Sequence, residues 1–231
     1  MKLQNKVVLI TGAKGGLGTF VTNAFLAEGA RVVGASRSIV DADFPHANFS
    51  AIAAGVASGE DARVLVEAVL TKWGRIDVLV HLVGGFAGGK SIADTDDAAL
   101  DKMLDLNFRS AFYLMRAVAP GMRGRGSGRI LAIGSKAGVE PSPMAAAYGA
   151  SKAALVSLVR SMARENSDLG ISANVVLPGT MDTPANRGAD PGADFSRWVH
   201  PDQIAGLLVY LASDAASQVN GAVIPVAGRD A

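Results

Sequence analysis

The sequence predicts a single doubly wound α/β domain over residues 1–231, a seven-stranded, mostly parallel sheet with helices on both faces. Three observations point there: short apolar runs alternate with longer segments of helical spacing, a glycine-rich turn follows the first apolar run, and the most loop-like segments follow strands. Lys6–Ile10 is apolar, β-branched and closed by Thr11-Gly12, the pattern of a buried strand. Residues 17–29 place Leu17, Val21, Ala24, Phe25 and Ala27 on one helical face and stop at Gly29. Arg31–Ala35 reads as the second strand and Phe49–Val56 as a weaker third. Helical spacing returns over 60–73 (Val64, Leu65, Ala68, Val69) and ends at Gly74. Ile76–Val83 is apolar on both faces, as a parallel strand covered by helices should be. One or two helices over 95–120, a strand at Arg129–Gly134, a helix over Ala145–Asn166 and a strand at Ile171–Leu177 follow, the last closed by Pro178-Gly179. Residues 201–213 read as the final helix and Ala222–Val226 as the final strand. No repeat, linker or shift in composition marks a second domain. Segments 84–94 and 180–200 follow strands, so they belong at the carboxyl edge of the sheet, where open α/β folds bind their ligands.

Composition narrows the partners. With 22 Lys+Arg against 21 Asp+Glu the net charge is +1, which supplies no field for nucleic acid or an anionic membrane. There is no Cys, so disulfides, thiolate nucleophiles and Cys-bearing metal sites are excluded. His46, His81 and His200 show no ligand spacing. The longest stretch without Asp, Glu, Lys or Arg is Phe44–Gly59, interrupted by Pro45 and His46, which falls short of the ~18 apolar residues of a membrane span. Val7–Ile10 is too short an apolar core for a secretory signal, so a cytoplasmic protein is expected.

Thr11-Gly12-Ala13-Lys14-Gly15-Gly16-Leu17-Gly18 lies between the first strand and the first helix. Gly12 permits a tight turn, Gly16 lets a pyrophosphate approach the backbone, and Gly18 lets the helix pack close to the strand. The helix N-terminus then offers free N–H groups and partial positive charge to the phosphates. The acidic residue expected about 20 positions on, which holds an adenosine ribose 2′-hydroxyl, is missing. The second strand ends Ala35-Ser36-Arg37 instead. Ser36 can hydrogen-bond a 2′-phosphate, Arg37 can grip it as a charged fork, and Lys14 can add a second positive charge. Contacts of roughly 1.5–3 kcal/mol each shift affinity tenfold or more, so NADP(H) is the preferred cofactor, with NAD(H) possible.

Ser135 follows the strand Arg129–Gly134, and Tyr148 and Lys152 stand four apart in a helical segment. That spacing puts phenol and ammonium on one face. A free phenol has a pKa near 10; a neighbouring ammonium lowers it and makes proton exchange with a substrate oxygen feasible. Lys152 can also donate to the nicotinamide ribose, and Ser135 can bond the same substrate oxygen. A Tyr and Lys at this spacing are often only an amphipathic pair, and it is their company with the dinucleotide turn that favours chemistry.

Taken together, Thr11-Gly-x-x-x-Gly-x-Gly18, Asn107 before the fifth strand, Ser135, Tyr148-x-x-x-Lys152 and Pro178-Gly179-Thr180-Met181-Asp182-Thr183 resemble the short-chain dehydrogenase/reductase family over nearly the whole chain. The resemblance implies a Rossmann fold and an Asn107–Ser135–Tyr148–Lys152 tetrad. Tyr148 would be the general acid in reduction and the base in oxidation, Ser135 would polarise the substrate oxygen, Lys152 would hold the ribose, and Asn107 would anchor a proton-relaying water. Pro178, Gly179, Thr180, Met181 and Thr183 would flank the nicotinamide, and Val56, Val83 and Gly84 would meet the cofactor through their backbones. It also implies a small-molecule carbonyl or alcohol substrate and a homotetramer or homodimer through the helices of 95–120 and 145–166. Two positions depart from the family pattern: its Asn-Asn-Ala-Gly is here His81-Leu82-Val83-Gly84, and its Asp after the third strand is Gly55. Val83–Gly89 and Leu177–Arg187, continued by Ala193–Trp198, are locally similar to the dihydropteridine reductases. Reduction of a quinonoid pterin is therefore one alternative, and a non-catalytic nucleotide sensor or scaffold another.

The remaining polar residues read more plainly. His81, ending a buried strand, is expected to be structural and hydrogen-bonded. Arg123-Gly-Arg-Gly-Ser-Gly-Arg129 reads as a solvated connector, since it lacks interleaved aromatics. Asp96, Asp97, Asp101 and Asp105 suit a helix start and its outer face. Met181, Phe195 and Trp198 can cover a substrate or simply pack.

Overall fold

The computed structural model describes residues 1–229. Seven strands, β1 (Val7–Thr11), β2 (Arg31–Ser36), β3 (Phe49–Ala53), β4 (Val78–His81), β5 (Gly128–Ile133), β6 (Ile171–Pro178) and β7 (Val223–Val226), form one sheet in the order β3-β2-β1-β4-β5-β6-β7. Every neighbouring pair is parallel, so the sheet is wholly rather than mostly so. The strand order reverses between β1 and β4, which places the topological switch point, and hence the ligand crevice, beside Thr11 and His81.

Alternating side chains of each strand feed two cores. Val7 and Leu9 of β1, Leu79 of β4 and Ile130 of β5 pack beneath helices α2 (Gly59–Trp73), α4 (Ser110–Arg125) and α5 (Ala146–Glu165). Val8, Ile10, Val78, Val80 and Leu131 face the opposite way, against α1 (Gly16–Ala27) and α7 (Pro201–Ala212). Both faces of the central strands are therefore buried, which is why they read as unbroken apolar runs. Each fully covered Leu, Ile or Phe contributes roughly 1.5–3 kcal/mol.

The helix ends follow local chemistry. Ser58 Oγ accepts from Asp61 N (3.1 Å) and Asp61 Oδ2 accepts from Ser58 N (2.9 Å), a reciprocal cap at the start of α2, while Gly74 ends it in the left-handed region (φ 72°). Asp96 caps α3 (Asp97–Leu104) by accepting from Ala99 N.

Several boundaries differ from those the sequence suggests. β3 stops at Ala53 and β4 at His81, so Val56 and Val83 lie in loops beyond the strand ends. The segment after α3 winds into a π-turn, Asp105–Arg109, before α4 begins. Helix α4 continues past Pro120 to Arg125 and ends at Gly126 (φ 61°). Arg123 and Arg125 are exposed, as expected, but they belong to the last turn of α4 rather than to a loop. Arg123 Nε donates to Asn166 Oδ1 (2.6 Å) and an Arg125 guanidinium nitrogen to Ile76 O (2.5 Å), tying the helix end to the turns before β6 and β4. Within loop 180–200 a short helix, α6 (Pro184–Ala189), is capped by Thr183, whose hydroxyl accepts from Asn186 N. Among the described residues, no helix is long and apolar enough to cross a membrane.

Candidate active site

The glycine turn is shaped for close approach. Gly12 takes φ +72°, and its N–H donates to Ala35 O (2.8 Å), holding the turn against β2. A Cβ at Gly18 would lie 2.0 Å from Gly12 O, so only glycine lets α1 start this near β1. Helix α1 has no side-chain cap at Gly15, which leaves the N–H groups of its first turn, around Gly16 and Leu17, free for an anion. Thr183 faces the turn from the other wall: a Cβ at Gly16 would meet Thr183 Cγ2 at 3.3 Å. The segment Pro178, Gly179, Thr180, Met181 runs from the end of β6 along that wall, fixed by Val199 N to Thr180 O (2.8 Å).

At the end of β2, Ser36 Oγ accepts from Lys14 N (3.2 Å), which draws the two residues together as the sequence suggests. The Lys14 ammonium, however, is already engaged: it sits 2.8 Å from Asp43 and donates to Ser38 O (3.2 Å). The Lys14 ammonium holds the Asp43 carboxyl below the usual carboxylate range, helped by the Val40 N–H. Arg37 is exposed and has no hydrogen bond or ion pair among the described residues. Asp43 is a residue the sequence reading misses, because nothing in its spacing from Lys14 advertises the contact.

The second wall carries Asn107, Ser135, Tyr148 and Lys152. Lys152 is buried on α5, and its Nζ donates to Ile133 O (2.9 Å), the carbonyl two residues before Ser135. Burial lowers its pKa to about 8. Asn107, wholly buried in the π-turn, grips the loop after β4: its Oδ1 accepts from Gly85 N (2.9 Å), and its Nδ2 donates to Gly85 O (3.0 Å) and to Ser151 Oγ (3.0 Å). Ser151 Oγ in turn donates to Tyr148 O (2.7 Å), so the residue before Lys152 links Asn107 to the backbone of the tyrosine. Gly84 marks where these groups converge: a Cβ there would lie 2.8 Å from Asn107 Oδ1 and 3.2 Å from Lys152 Nζ.

Tyr148 is half-buried, and the exposed Phe86 ring stands edge-on to it at 5.0 Å between centroids. Burial pushes the phenol pKa up, with the Ser135 hydroxyl opposing that shift. This corrects the expectation of an ammonium-lowered phenol. Desolvation is the largest cause here, and the Lys152 ammonium directs one of its three hydrogens to the Ile133 carbonyl. Ser135 Oγ accepts from Ala137 N (3.2 Å).

His81 proves hydrogen-bonded as expected, to Thr11 and Ser110, and burial first, then the charge of Lys152, lowers its pKa to about 3. In loop 180–200, Phe195 and Trp198 pack at 4.8 Å, and Arg187 lies over Phe195 while pairing with Asp182 (2.6 and 2.8 Å).

A parallel sheet with a glycine cradle at its switch point and a Ser, Tyr and Lys on the adjoining wall defines a nicotinamide-dependent oxidoreductase acting on CH–OH or C=O groups. The family model for short chain dehydrogenases matches residues 6–193. The chain belongs to the short-chain dehydrogenase/reductase family. It is 33% identical to an uncharacterized oxidoreductase, YvrD, of Bacillus subtilis, covering 99% of this chain and 97% of that one. It is 34% identical to 2-(S)-hydroxypropyl-CoM dehydrogenase 3 of Xanthobacter autotrophicus, covering 98% and 97%. The solved structure of ElxO with NADP bound is similar at a TM-score of 0.92 and 25% identity, over 98% of this chain and 99% of that one.

Proposed function

We propose that this oxidoreductase is a cytoplasmic, single-domain, NADPH-preferring reductase of carbonyl compounds, with Tyr148 as general acid and Ser135, Lys152 and Asn107 arranging it. The convergence of Asn107, Lys152 and Gly84 beside Tyr148, across from the glycine cradle, carries the reading. The residues present fit a dinucleotide. Gly12, Gly15, Gly16, Leu17 and Gly18 would receive the pyrophosphate, Val56, Val83 and Gly84 would offer backbone contacts, and Pro178–Met181 with Thr183 would line the nicotinamide end. When bound, the cofactor supplies the hydride to the carbonyl carbon or takes it back from the alcohol.

The protein manages the proton. A phenol raised in pKa keeps its hydrogen at neutral pH and can deliver it to the substrate oxygen. Ser135 would hold that oxygen, and the Lys152 ammonium, kept dry under Gly84, would bond the ribose and restore the proton to Tyr148. Phe86, exposed over the phenol, gives the substrate side an apolar edge. A homodimer or homotetramer would form through α4 and α5, where Phe112 stays exposed under the Arg116 guanidinium.

Preference for the phosphorylated cofactor rests on Arg37, which no carboxylate among the described residues neutralises, with Ser36 and Lys14 beside it; ElxO, solved with NADP, is consistent with it. Arg37→Asp should weaken NADPH at least tenfold more than NADH. Asp43→Asn should tighten NADPH several-fold and leave NADH nearly unchanged, because it releases Lys14 from its ion pair. Fluorescence titration of both cofactors checks this; equal losses of both on Arg37→Asp would show that Arg37 does not read the phosphate.

The activity itself is tested by following NADPH and NADH oxidation at 340 nm, the nicotinamide absorbance, against ketones, aldehydes, quinones and a quinonoid dihydropterin. Turnover of a carbonyl with NADPH favoured is expected. Turnover confined to the dihydropterin would name a pteridine reductase, and zero turnover with tight cofactor binding would mark a sensor.

A further inference from the structure

One buried titratable side chain takes no part in the chemistry above. His81 closes β4 directly opposite Thr11, the residue that closes β1, and is 1% exposed. Both ring nitrogens have partners: Nδ1 lies 2.9 Å from Thr11 Oγ1 and Nε2 lies 3.3 Å from Ser110 Oγ. The available hydrogens fix who donates. The Ser110 hydroxyl donates to Leu106 O (2.8 Å), so its oxygen accepts from the ring and Nε2 carries the hydrogen. Nδ1 then has only a lone pair, and Thr11 donates to it. The result is one directed chain of hydrogen bonds from Thr11 through His81 and Ser110 to the Leu106 carbonyl.

The two ends of that chain are the two halves of the site. Thr11 leads into Gly12 and the cofactor turn, and Leu106 lies in the π-turn beside Asn107, whose amide holds Gly85 and Ser151. The imidazole spans both sides because it carries a donor and an acceptor on opposite edges of a rigid ring. A hydrophobic residue of similar size would fill the space and leave Thr11 and Ser110 as buried hydroxyls short of a partner.

We propose that His81 is a positioning residue, a neutral imidazole that locks the cofactor turn to the π-turn carrying Asn107 so that nucleotide binding and the arrangement around Lys152 are set together. The inference rests on the cofactor reading above. Ser110 sits on α4, away from the glycine turn, yet Ser110→Ala should weaken NADPH about fivefold, the equivalent of one buried hydrogen bond. His81→Leu should do so at least as strongly. The Ser110→Ala, His81→Leu double variant should bind no worse than His81→Leu alone, because the chain is already cut. His81→Gln, with one acceptor and one donor, should recover much of the affinity.

The measurement is the NADPH dissociation constant from nucleotide fluorescence, set beside the thermal midpoint of each variant. Variants that bind NADPH like the wild type while only their midpoints fall would overturn the proposal, as would additive losses in the double variant or a His81→Gln that recovers stability without affinity. Should His81→Leu not fold, Ser110→Ala decides, since it keeps the ring and removes only the far partner. A wild-type protein that binds neither NADPH nor NADH would overturn the cofactor reading first and this inference with it.

Discussion

Tyr148→Phe should lower turnover by about 10²–10⁴-fold while leaving NADPH affinity within about threefold of the wild type. The size follows from what the hydroxyl does and what the ring does not. Reduction leaves negative charge on the substrate oxygen, and without an acid in contact that charge must wait for water beside Phe86 and Ser135, the two residues that flank the phenol. The phenol suits the donor's part: its ordinary pKa near 10 already keeps the proton in place at neutral pH, burial shifts it further the same way, and a developing alkoxide is basic enough to take it. Phenylalanine keeps the ring and with it the edge-to-face contact with Phe86, so packing is nearly unchanged and the loss isolates the oxygen. Single-turnover kinetics at saturating NADPH, run beside a cofactor titration, separate chemistry from binding. Turnover within threefold of the wild type would remove Tyr148 from the mechanism, and a parallel collapse of NADPH binding would show that the phenol serves the cofactor instead.

What the sequence made legible was periodic or local. Strands buried on both faces announce themselves as apolar runs, and the glycine spacing Gly12, Gly16, Gly18 reports a turn that tolerates no Cβ, as the 2.0 Å approach at Gly18 bears out. The i, i+4 spacing of Tyr148 and Lys152 puts both on one face of α5. What stayed hidden depends on contacts between distant residues. Asp43 meets Lys14, and Asn107 reaches Ser151, through side chains far apart in the chain. The helix that passes through Pro120 is held at its far end by Arg123 on Asn166 and Arg125 on Ile76, so tertiary bonds override the local stop signal. The Tyr148 shift runs opposite to what its spacing from Lys152 suggests for a related reason: spacing reports neighbours but not the loss of water, and desolvation is the largest cause. His81 shows the opposite case. A lone histidine closing an apolar strand is most simply a satisfied buried group, and its two hydroxyl partners bear that out.

That histidine sets the second large effect, the response of stability to acid. Its folded pKa of about 3 lies below the ordinary 6.5, through burial first and the positive Lys152 second, so the unfolded chain takes up a proton before the folded one does. Stability from this group is therefore fully present above about pH 6.5 and is lost as pH falls toward 3, by roughly 4 kcal/mol over the whole interval. Between pH 6.5 and 5.0 the loss should be on the order of 1–2 kcal/mol. The carboxylates held low by hydrogen bonds and ion pairs, among them Asp61 and Asp182, surrender their share only below about pH 5, so the interval above it reports the imidazole. His81→Asn carries no titrating ring and should show a flatter profile there, though it starts from a lower stability. Urea midpoints at pH 6.5 and 5.0 for the two proteins make the comparison. Equal slopes would mean that the folded protein protonates His81 without penalty, which a ring wedged between Thr11 and Ser110 and facing a buried ammonium has no room to do: a second proton would take the lone pair that accepts from Thr11 and add a like charge near Lys152.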